Sequence, residues 1–492
     1  MDYIDLIIIS FYLLIIGSVG FYTRKYVSDF SDFMVAGRKM NLSLAIVTML
    51  GTELGLITVM YNSQSGVLNL FSSFHIGLAA FLVTFCIGLT GFVIVKLRSL
   101  KVKSIPEYYE IRFGKRVRIL GAVMLCLGGI LNMGLFLKVG AIFIQTIFGF
   151  DQSTLVLIMG ALLILVLVYT MLGGMISVII TDYIQYVVLS VGFLFCIFYS
   201  FKTLGWTNLF NSLEQIMQQK NSLNESYDIN SIYNPVKNLG PAYISWQIVL
   251  GFVSAVIWPT AITRALSIKN VEMVKNQYLW SSFSFLIRFI VPAFIGICAF
   301  VFYEGVILDN SLALMPMYLS EILPVGILGI VVAGMLAAFM STHDSYLLCW
   351  STIITNDIIE PLSDNKMSSK KKINISRIII VLLGFYIFYW GMFYEGSDAI
   401  WDYLGITGAV YFTGAISVVV LGLYWKKASS VGAILSLVGG LSSLAGLEPI
   451  RQGLSINIDN PAIIGLLSLF LSLFLMFFGS LFFPDIDERK KI

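Results

Sequence analysis

The segment MLGTELGLIT (residues 49–58) lies inside a long apolar stretch and places a carboxylate, Glu53, between two glycines, Gly51 and Gly55. Glycine weakens a helix, and an ionised side chain near the bilayer centre costs about 2.5–3.5 kcal/mol on insertion scales. Backbone that leaves the helix at membrane depth is tolerated only where it lines a protected cavity. The segment therefore predicts a helix that is broken at the wall of an internal cavity.

The composition around this segment is that of a membrane protein. The chain has 492 residues, of which 58% are hydrophobic and only 12% are charged, whereas a soluble domain carries about 25% charged residues. The apolar residues recur in runs of roughly 18 to 28, the length that crosses about 30 Å of hydrocarbon. Hydropathy predicts about 13 transmembrane helices, near residues 3–22, 41–67, 70–97, 117–147, 153–171, 175–203, 241–263, 277–305, 322–352, 375–394, 398–424, 428–446 and 461–482.

The basic residues indicate the orientation of these spans. If the N-terminus lies outside, the outer loops hold only Lys202, Lys220, Lys237 and Arg451. Cytoplasmic loops of membrane proteins carry an excess of Lys and Arg, so we expect the N-terminus outside and the C-terminus inside, in a multi-pass protein of the cell membrane. The basic residues assigned to the inner side are Arg24, Lys25, Arg38, Lys39, the cluster from Lys96 to Arg118, Arg264, Lys269, Lys275, Lys366, Lys370, Lys371, Lys372, Arg377, Lys426, Lys427, Arg489, Lys490 and Lys491.

Other ionisable residues lie inside the predicted spans. Such residues usually face a partner or a watery cavity. A structural ion pair between two helices, for example between Glu53 and Lys138, would account for one or two of them, whereas a larger group favours an interior pathway. The residues concerned are Glu53, Lys138, Asp182, Arg288, His343 and Asp344.

A second predicted helix break lies in GFVSAVIWPTAITR (residues 251–264), where Pro259 removes a helix hydrogen bond. Counted from the second span, this helix is the sixth and would begin a second set of five. Interrupted helices at corresponding positions of two halves are the best sequence sign of a transporter site. The alternative is an ordinary kink, because glycine and proline are common in membrane helices.

The ninth span carries a group of oxygen ligands in AAFMSTHDSYLLCWS (residues 337–351). Ser341 and Ser345 are four residues apart and share a helix face, with Thr342 and Asp344 beside them. Hydroxyl, carboxylate and freed carbonyl oxygens are hard ligands that suit a small alkali cation. Hydrogen bonds from Ser and Thr to the preceding turn would explain two hydroxyls, but not the carboxylate.

Five motifs, in order over nearly the whole chain, resemble those of the sodium/solute symporters, which include bacterial proline, pantothenate, sialic acid and sugar carriers. The resemblance implies an all-α integral membrane protein with a LeuT-type inverted repeat. Its parts would be an extra helix (3–22), two five-helix halves (41–203 and 241–424) and two C-terminal helices (428–482). The motifs are FMVAGRKMN (33–41), YTMLGGMISVIITDYIQ (169–185), WPTAITRALSIKN (258–270), AAFMSTHDSYLL (337–348) and LGLYWKKASSVGA (421–433).

The same resemblance implies two sodium sites. The chain departs from the family pattern at Glu53 and at His343, so the identity of the solute does not transfer from any member. The central site would use the carbonyls of Gly51, Leu54 and Ala338 and the hydroxyls of Ser341 and Thr342. A second site nearer the cytoplasm would use Asp182, Ser341, Asp344 and Ser345.

The expected function is sodium-driven symport of a small organic solute by alternating access, with neither nucleic acid nor an obligate protein as partner. Lys138 would neutralise a carboxylate, which favours an organic or amino acid. The open alternatives are a proton-coupled symporter that titrates Glu53 and His343, and a solute sensor of the same fold. A channel would need a continuous polar pore, and an enzyme would need a cluster of reactive side chains. The sequence shows neither pattern. The candidate solute contacts are Glu53, Thr58, Ser63, Gln64, Lys138, Trp258 and Thr260.

Overall fold

The computed structural model describes residues 1–23, 29–38, 40–222, 232–308, 310–363, 367–394, 399–458 and 460–485. Seven basic residues assigned above to the inner side, Arg24, Lys25, Lys39, Lys366, Arg489, Lys490 and Lys491, lie outside these ranges. The helices are α1 (Tyr3–Thr23), α2 (Phe30–Val35), α3 (Leu42–Glu53), α4 (Leu56–Asn69), α5 (His75–Thr90), α6 (Ile94–Ser99), α7 (Ile105–Phe113), α8 (Lys115–Met133), α9 (Phe136–Phe148), α10 (Leu155–Leu204), α11 (Trp206–Ser222), α12 (Pro235–Leu239), α13 (Pro241–Ile257), α14 (Pro259–Ser267), α15 (Glu272–Phe302), α16 (Leu314–Ile322), α17 (Ile327–Ile353), α18 (Glu360–Leu362), α19 (Ser369–Phe393), α20 (Ile400–Tyr424), α21 (Ser430–Gly439), α22 (Glu448–Gly453) and α23 (Pro461–Phe482).

The described residues form an all-helical membrane fold, as expected. Within these described ranges, ten helical stretches are long and apolar enough to cross a membrane, judged by length and composition. Three shorter apolar stretches, Leu42–Glu53, Gln152–Val168 and Ser430–Gly446, lie between them in the chain. Helical structure covers most of every predicted span, while the number of crossings and their orientation stay predictions.

Helix α17 forms the centre of the molecule and is buried along almost its whole length. It packs along α10 and α1. At its N-terminal end, Oδ1 of Asp5 on α1 accepts hydrogen bonds from the backbone N–H groups of Gly326 and Gly329, each at 2.8 Å. A carboxylate in this position satisfies N–H groups that have no partner within the helix, so the N-terminal helix is tied to the core.

Helices α4 and α15 lie in direct backbone contact. A Cβ added at Gly66 would lie 2.0 Å from the carbonyl oxygen of Ala293, and one at Gly296 would lie 2.1 Å from that of Ser63. Small residues allow this close approach between membrane helices. The contact fixes which face of α4 packs against α15 and which face is turned to the interior.

Helix α10 is divided at Gly174, the boundary expected between spans 153–171 and 175–203. Gly174 adopts φ 56° and ψ −163°, a conformation that favours glycine because other residues clash with their own backbone. A Cβ there would also lie 2.5 Å from Cδ2 of Phe33 on α2. The second part of α10 thereby reaches the centre of the protein, where it carries Asp182.

Candidate functional site

The helix break expected in MLGTELGLIT is present. Helix α3 ends at Glu53 and α4 begins at Leu56, while Leu54, an expected sodium ligand, leaves helical geometry at φ −96° and ψ 62°. Gly55 has backbone angles that any residue can adopt (φ −81°, ψ 165°). Packing demands the glycine, since a Cβ would lie 2.0 Å from Oγ1 of Thr342. Helix α17 therefore lies directly against the break.

Oxygen atoms from the break and from α17 converge at this contact. The hydroxyl of Ser341 donates to the carbonyl of Gly51 at 2.9 Å and lies 3.2 Å from the carbonyl of Ala338. The hydroxyl of Thr342 donates to the carbonyl of Thr52 at 3.2 Å. The last carbonyls of a helix lack partners within it, so this group combines freed carbonyls with hydroxyls. Four of the five expected central ligands thus meet in one buried place, beside Leu54.

A buried charged cluster lies next to these oxygens. Nη2 of Arg264 donates to the hydroxyls of Thr52 and Ser345, each at 2.6 Å, and lies 3.7 Å from Oδ2 of Asp182. The hydroxyl of Ser345 in turn donates to Oδ1 of Asp344 at 3.2 Å. Three of the four residues expected at the second sodium site, Asp182, Asp344 and Ser345, are therefore brought together, and the fourth, Ser341, lies four residues before Ser345 on α17.

The cluster has more negative than positive charge when both carboxyl groups are ionised, because Arg264 is the one cation that contacts it among the described residues. Oδ1 of Asp182 and Oδ2 of Asp344 are buried and accept no hydrogen bond from any described group. Isolated buried charge is costly unless it is paired. These two oxygens can therefore bind a cation.

Arg264 corrects one expectation from the sequence. It was assigned to an inner loop, but α14 continues to Ser267, and the Arg264 side chain is only 1% exposed. A new helix starts here because Pro259 stands at its first position, where proline costs no helix hydrogen bond. That helix carries Arg264. Arg264 is thereby buried inside the protein and faces the other broken helix.

A cavity with an empty volume of about 930 Å³, open solvent included, lies between the two helix breaks. Three of the expected solute contacts, Glu53, Thr58 and Trp258, line it. Thr260 does not line the cavity itself, but its hydroxyl donates to Oε1 of Glu53 at 2.8 Å. The cavity is therefore walled by both broken helices.

The partner of Glu53 is Arg288 on α15, whose Nη1 donates to Oε2 of Glu53 at 3.1 Å. An ion pair between Glu53 and Lys138 does not form. Nζ of Lys138 instead donates to the carbonyl of Tyr394 at 3.1 Å. The Lys138 side chain leaves α9 beside Gly391 of α19, and it is absent from the cavity wall.

Two further expected solute contacts also lie elsewhere. Nε2 of Gln64 donates to the hydroxyl of Ser311 at 2.9 Å. Ser63 lies on the face of α4 that packs against Gly296. Neither residue lines the cavity, because the backbone contact of α4 with α15 turns both away from it.

His343 points away from the cavity as well. Its Nδ1 lies 2.8 Å from the carbonyl of Phe339, and its ring packs on the rings of Phe339 and Phe136. The cavity wall contains polar residues that the sequence prediction did not assign to the solute, among them Asn132, Gln247 and Arg288. Each is a polar side chain within an apolar span, which is the sequence feature that indicates them. For Arg288 the sequence indicates an interior position but no specific role.

A family model and known proteins match this chain. The model of the sodium:solute symporter family covers residues 33–440. The chain is 26% identical over 389 residues to the sodium/sialic acid symporter SiaT of Proteus mirabilis, a match that spans 75% of this chain and 74% of SiaT. It is 25% identical over 370 residues to the sodium/glucose cotransporter of Vibrio parahaemolyticus, spanning 69% of this chain and 65% of the cotransporter.

The fold matches a solved structure described as the substrate-bound outward-open state of a Na+-coupled sialic acid symporter. The TM-score is 0.78 at 20% identity, and the match covers 98% of this chain and 99% of the other. These matches confirm a sodium-coupled transporter, with sodium as the coupled ion, and not an enzyme. The family model spans all five motifs quoted above, and the chain belongs to the sodium:solute symporter family.

Proposed function

We propose that this symporter carries a small polar solute through the central cavity by alternating access, with sodium bound to the adjacent oxygen group. The observation that carries the proposal is the contact between the Ser341 hydroxyl and the Gly51 carbonyl. It joins α17 to the broken helix at the edge of the cavity. A sodium ion shared by these oxygens would fix the break in the shape that completes the solute site.

The proposed ligands of the central sodium are the carbonyls of Gly51, Leu54 and Ala338 with the hydroxyls of Ser341 and Thr342. A second ion would use Asp182, Asp344 and Ser345, on the way to the cytoplasm. The unpaired oxygens of the two carboxylates support this assignment. Each charge that crosses the membrane gains about 2.3 kcal/mol per 100 mV, so a single sodium already supports considerable accumulation.

We further propose 13 spans with the N-terminus outside and the C-terminus inside, in the cell membrane. The breaks between α3 and α4 and between α13 and α14 would open the two five-helix halves, 41–203 and 241–424. Arg264 on α14 contacts Thr52 on α3, so the two broken helices that would open these halves meet each other. Segments 3–22 and 428–482 would flank the halves.

The inner side of the cavity is closed by contacts between the segments next to α3 and α14 and by Arg98 of α6. Met40, before α3, forms a parallel bridge with Ile268, after α14. Arg98 donates to the carbonyl of Ile268 at 3.0 and 2.7 Å. Release of solute to the cytoplasm would require Arg264 to leave Thr52, which ties the inward opening to the charged cluster.

A sodium titration of thermal stability tests the proposed central site. We expect Ser341→Ala to raise the half-saturating sodium concentration by about tenfold, the effect of losing roughly 1.4 kcal/mol. Ser351→Ala is the matched control, because Ser351 is equally buried on the same helix and donates only to the carbonyl of Leu348. An unchanged sodium dependence in Ser341→Ala would contradict the site.

Transport in proteoliposomes tests the coupling. A sodium gradient alone should drive uptake, and a proton gradient alone should not. Uptake driven by protons without sodium would instead support the alternative in which Glu53 titrates. The relatives named for sialic acid and glucose transport support a small polar solute, which sets the first compounds to try.

A further inference from the structure

We propose that the solute of this transporter carries no net charge, because the Glu53–Arg288 ion pair leaves its site electrically neutral. The inference rests on the proposed function, in which the central cavity holds the solute. It adds a rule of selection: neutral polyols and zwitterions are accepted, and monoanions and monocations are rejected.

The two charges in the cavity wall compensate each other. Among the described residues that line the cavity, only Glu53 and Arg288 are charged. Both oxygens of the Glu53 carboxylate are engaged, one by Arg288 at 3.1 Å and the other by Thr260 at 2.8 Å. A monoanion that took Arg288 for itself would leave Glu53 as an uncompensated buried charge, which is strongly unfavourable.

Arg288 still has hydrogen-bonding capacity for a solute. Its side chain is 9% exposed, and its guanidinium lies 4.5 Å from the ring centres of both Phe285 and Phe289. Nη1 is bound to Glu53, whereas Nε has no acceptor in the described part of the chain. A guanidinium has five N–H donors. Solute oxygens can therefore bind Arg288 while the pair with Glu53 stays intact.

The positive charge of a single bound sodium is offset inside the protein and not by its own ligands. Its proposed central ligands, such as Ser341 and Gly51, are neutral. With one sodium bound at these oxygens and none in the neighbouring cluster, the cluster of Asp182, Asp344 and Arg264, which carries one excess negative charge with both carboxyl groups ionised, balances that ion. In this state with one sodium bound, the solute site and the sodium site together carry no net charge before the solute binds.

The accepted solutes therefore share two properties: they have oxygen atoms that accept hydrogen bonds from Arg288, and they carry no net charge. Hydroxyl groups of a sugar or polyol supply such oxygen atoms, and so does the carboxylate of a zwitterionic amino acid whose ammonium group lies near Glu53. The rings of Tyr61, Trp258 and Trp401 line the remaining wall and can pack against the apolar parts of either class.

A binding screen with charge-matched probes tests the rule. Thermal stabilisation of the purified protein is measured with and without sodium for two series: L-phenylalanine, 3-phenylpropionate and phenethylamine, and glucose, glucuronate and glucosamine. A panel of further neutral sugars, polyols, zwitterionic amino acids and N-acetylneuraminate extends both series. We expect sodium-dependent stabilisation only by net-neutral compounds, and the two series distinguish zwitterions from polyols.

The outcomes separate the two proposals. Sodium-dependent stabilisation by a monoanion or monocation at least equal to that by its neutral counterpart overturns the charge rule and leaves the proposed function standing. No sodium-dependent stabilisation by any compound counts against the proposed function, and the charge rule falls with it.

Variants of Glu53 and Arg288 test whether this ion pair causes the preference for solutes without net charge. Glu53→Gln leaves Arg288 unpaired and should shift the ratio of affinities by about tenfold toward the anionic member of the series. Arg288→Gln should shift it toward the cationic member, and the double variant should restore the neutral preference. Glu321→Gln and Arg451→Gln remove the same charges away from the cavity and serve as controls. A ratio that is unchanged in Glu53→Gln, or a double variant that prefers anions, refutes the inference.

Discussion

Replacing Gly55 with alanine tests whether the tight contact between the helix break and α17 holds the sodium site together. The backbone of Gly55 (φ −81°, ψ 165°) accepts alanine without strain, so the effect comes from the added Cβ alone. That atom would lie 2.0 Å from Oγ1, 2.9 Å from Cβ and 3.2 Å from Cγ2 of Thr342.

The magnitude follows from these distances. Rotation of the Thr342 side chain moves its Oγ1 but not its Cβ, which stays about 0.6–1.1 Å closer than the optimal carbon–carbon separation of about 3.5–4.0 Å. The break and α17 must therefore move apart. Overpacking of this kind costs about 1–3 kcal/mol. If the strain is released by separating the sodium ligands, sodium affinity falls by about 5- to 150-fold, at 1.4 kcal/mol for each factor of ten.

The assay is the midpoint of sodium-dependent thermal stabilisation for Gly55→Ala beside wild-type protein. Gly17→Ala is the control, because a Cβ at Gly17 on α1 would meet no atom within 4 Å. We expect the midpoint to rise only in Gly55→Ala. A Gly55→Ala protein that folds and binds sodium with the wild-type midpoint would refute the close packing of the break against Thr342.

Three other substitutions test the start of α17, the break in α10 and the position of Lys138. Asp5→Ala removes the acceptor for two N–H groups at the start of α17 and should lower the free energy of unfolding by about 1–2 kcal/mol; an unchanged Tm in detergent would contradict this. Gly174→Ala should cost about 1–2 kcal/mol from its φ of 56°, in addition to the clash with Phe33, and a Tm equal to wild type would argue against the break in α10. Lys138→Ala should change solute affinity by no more than about twofold, because Nζ binds the carbonyl of Tyr394 outside the cavity; a large loss of uptake affinity would return Lys138 to the solute site.

Much of the architecture follows from local features of the sequence. The length of the apolar runs determines where helices form, since each must satisfy its own backbone in lipid. The break after Glu53 was predictable from the glycines on either side of it, and the one at Trp258 from Pro259, which starts α14. The oxygen group of α17 was predictable because Ser341 and Ser345 share a face by helical spacing alone.

Which polar groups meet was decided by the tertiary structure. Glu53 pairs with Arg288 and not with Lys138, and Arg264 turns into the core rather than staying in a loop. The sequence contains no local signal for these contacts, because they depend on how each helix is rotated about its axis. That rotation is determined by backbone packing between distant segments, as where Gly296 lies against α4. The sequence alone therefore determined the helices, their breaks and their ligand types, and helix packing selected the partners that make the site.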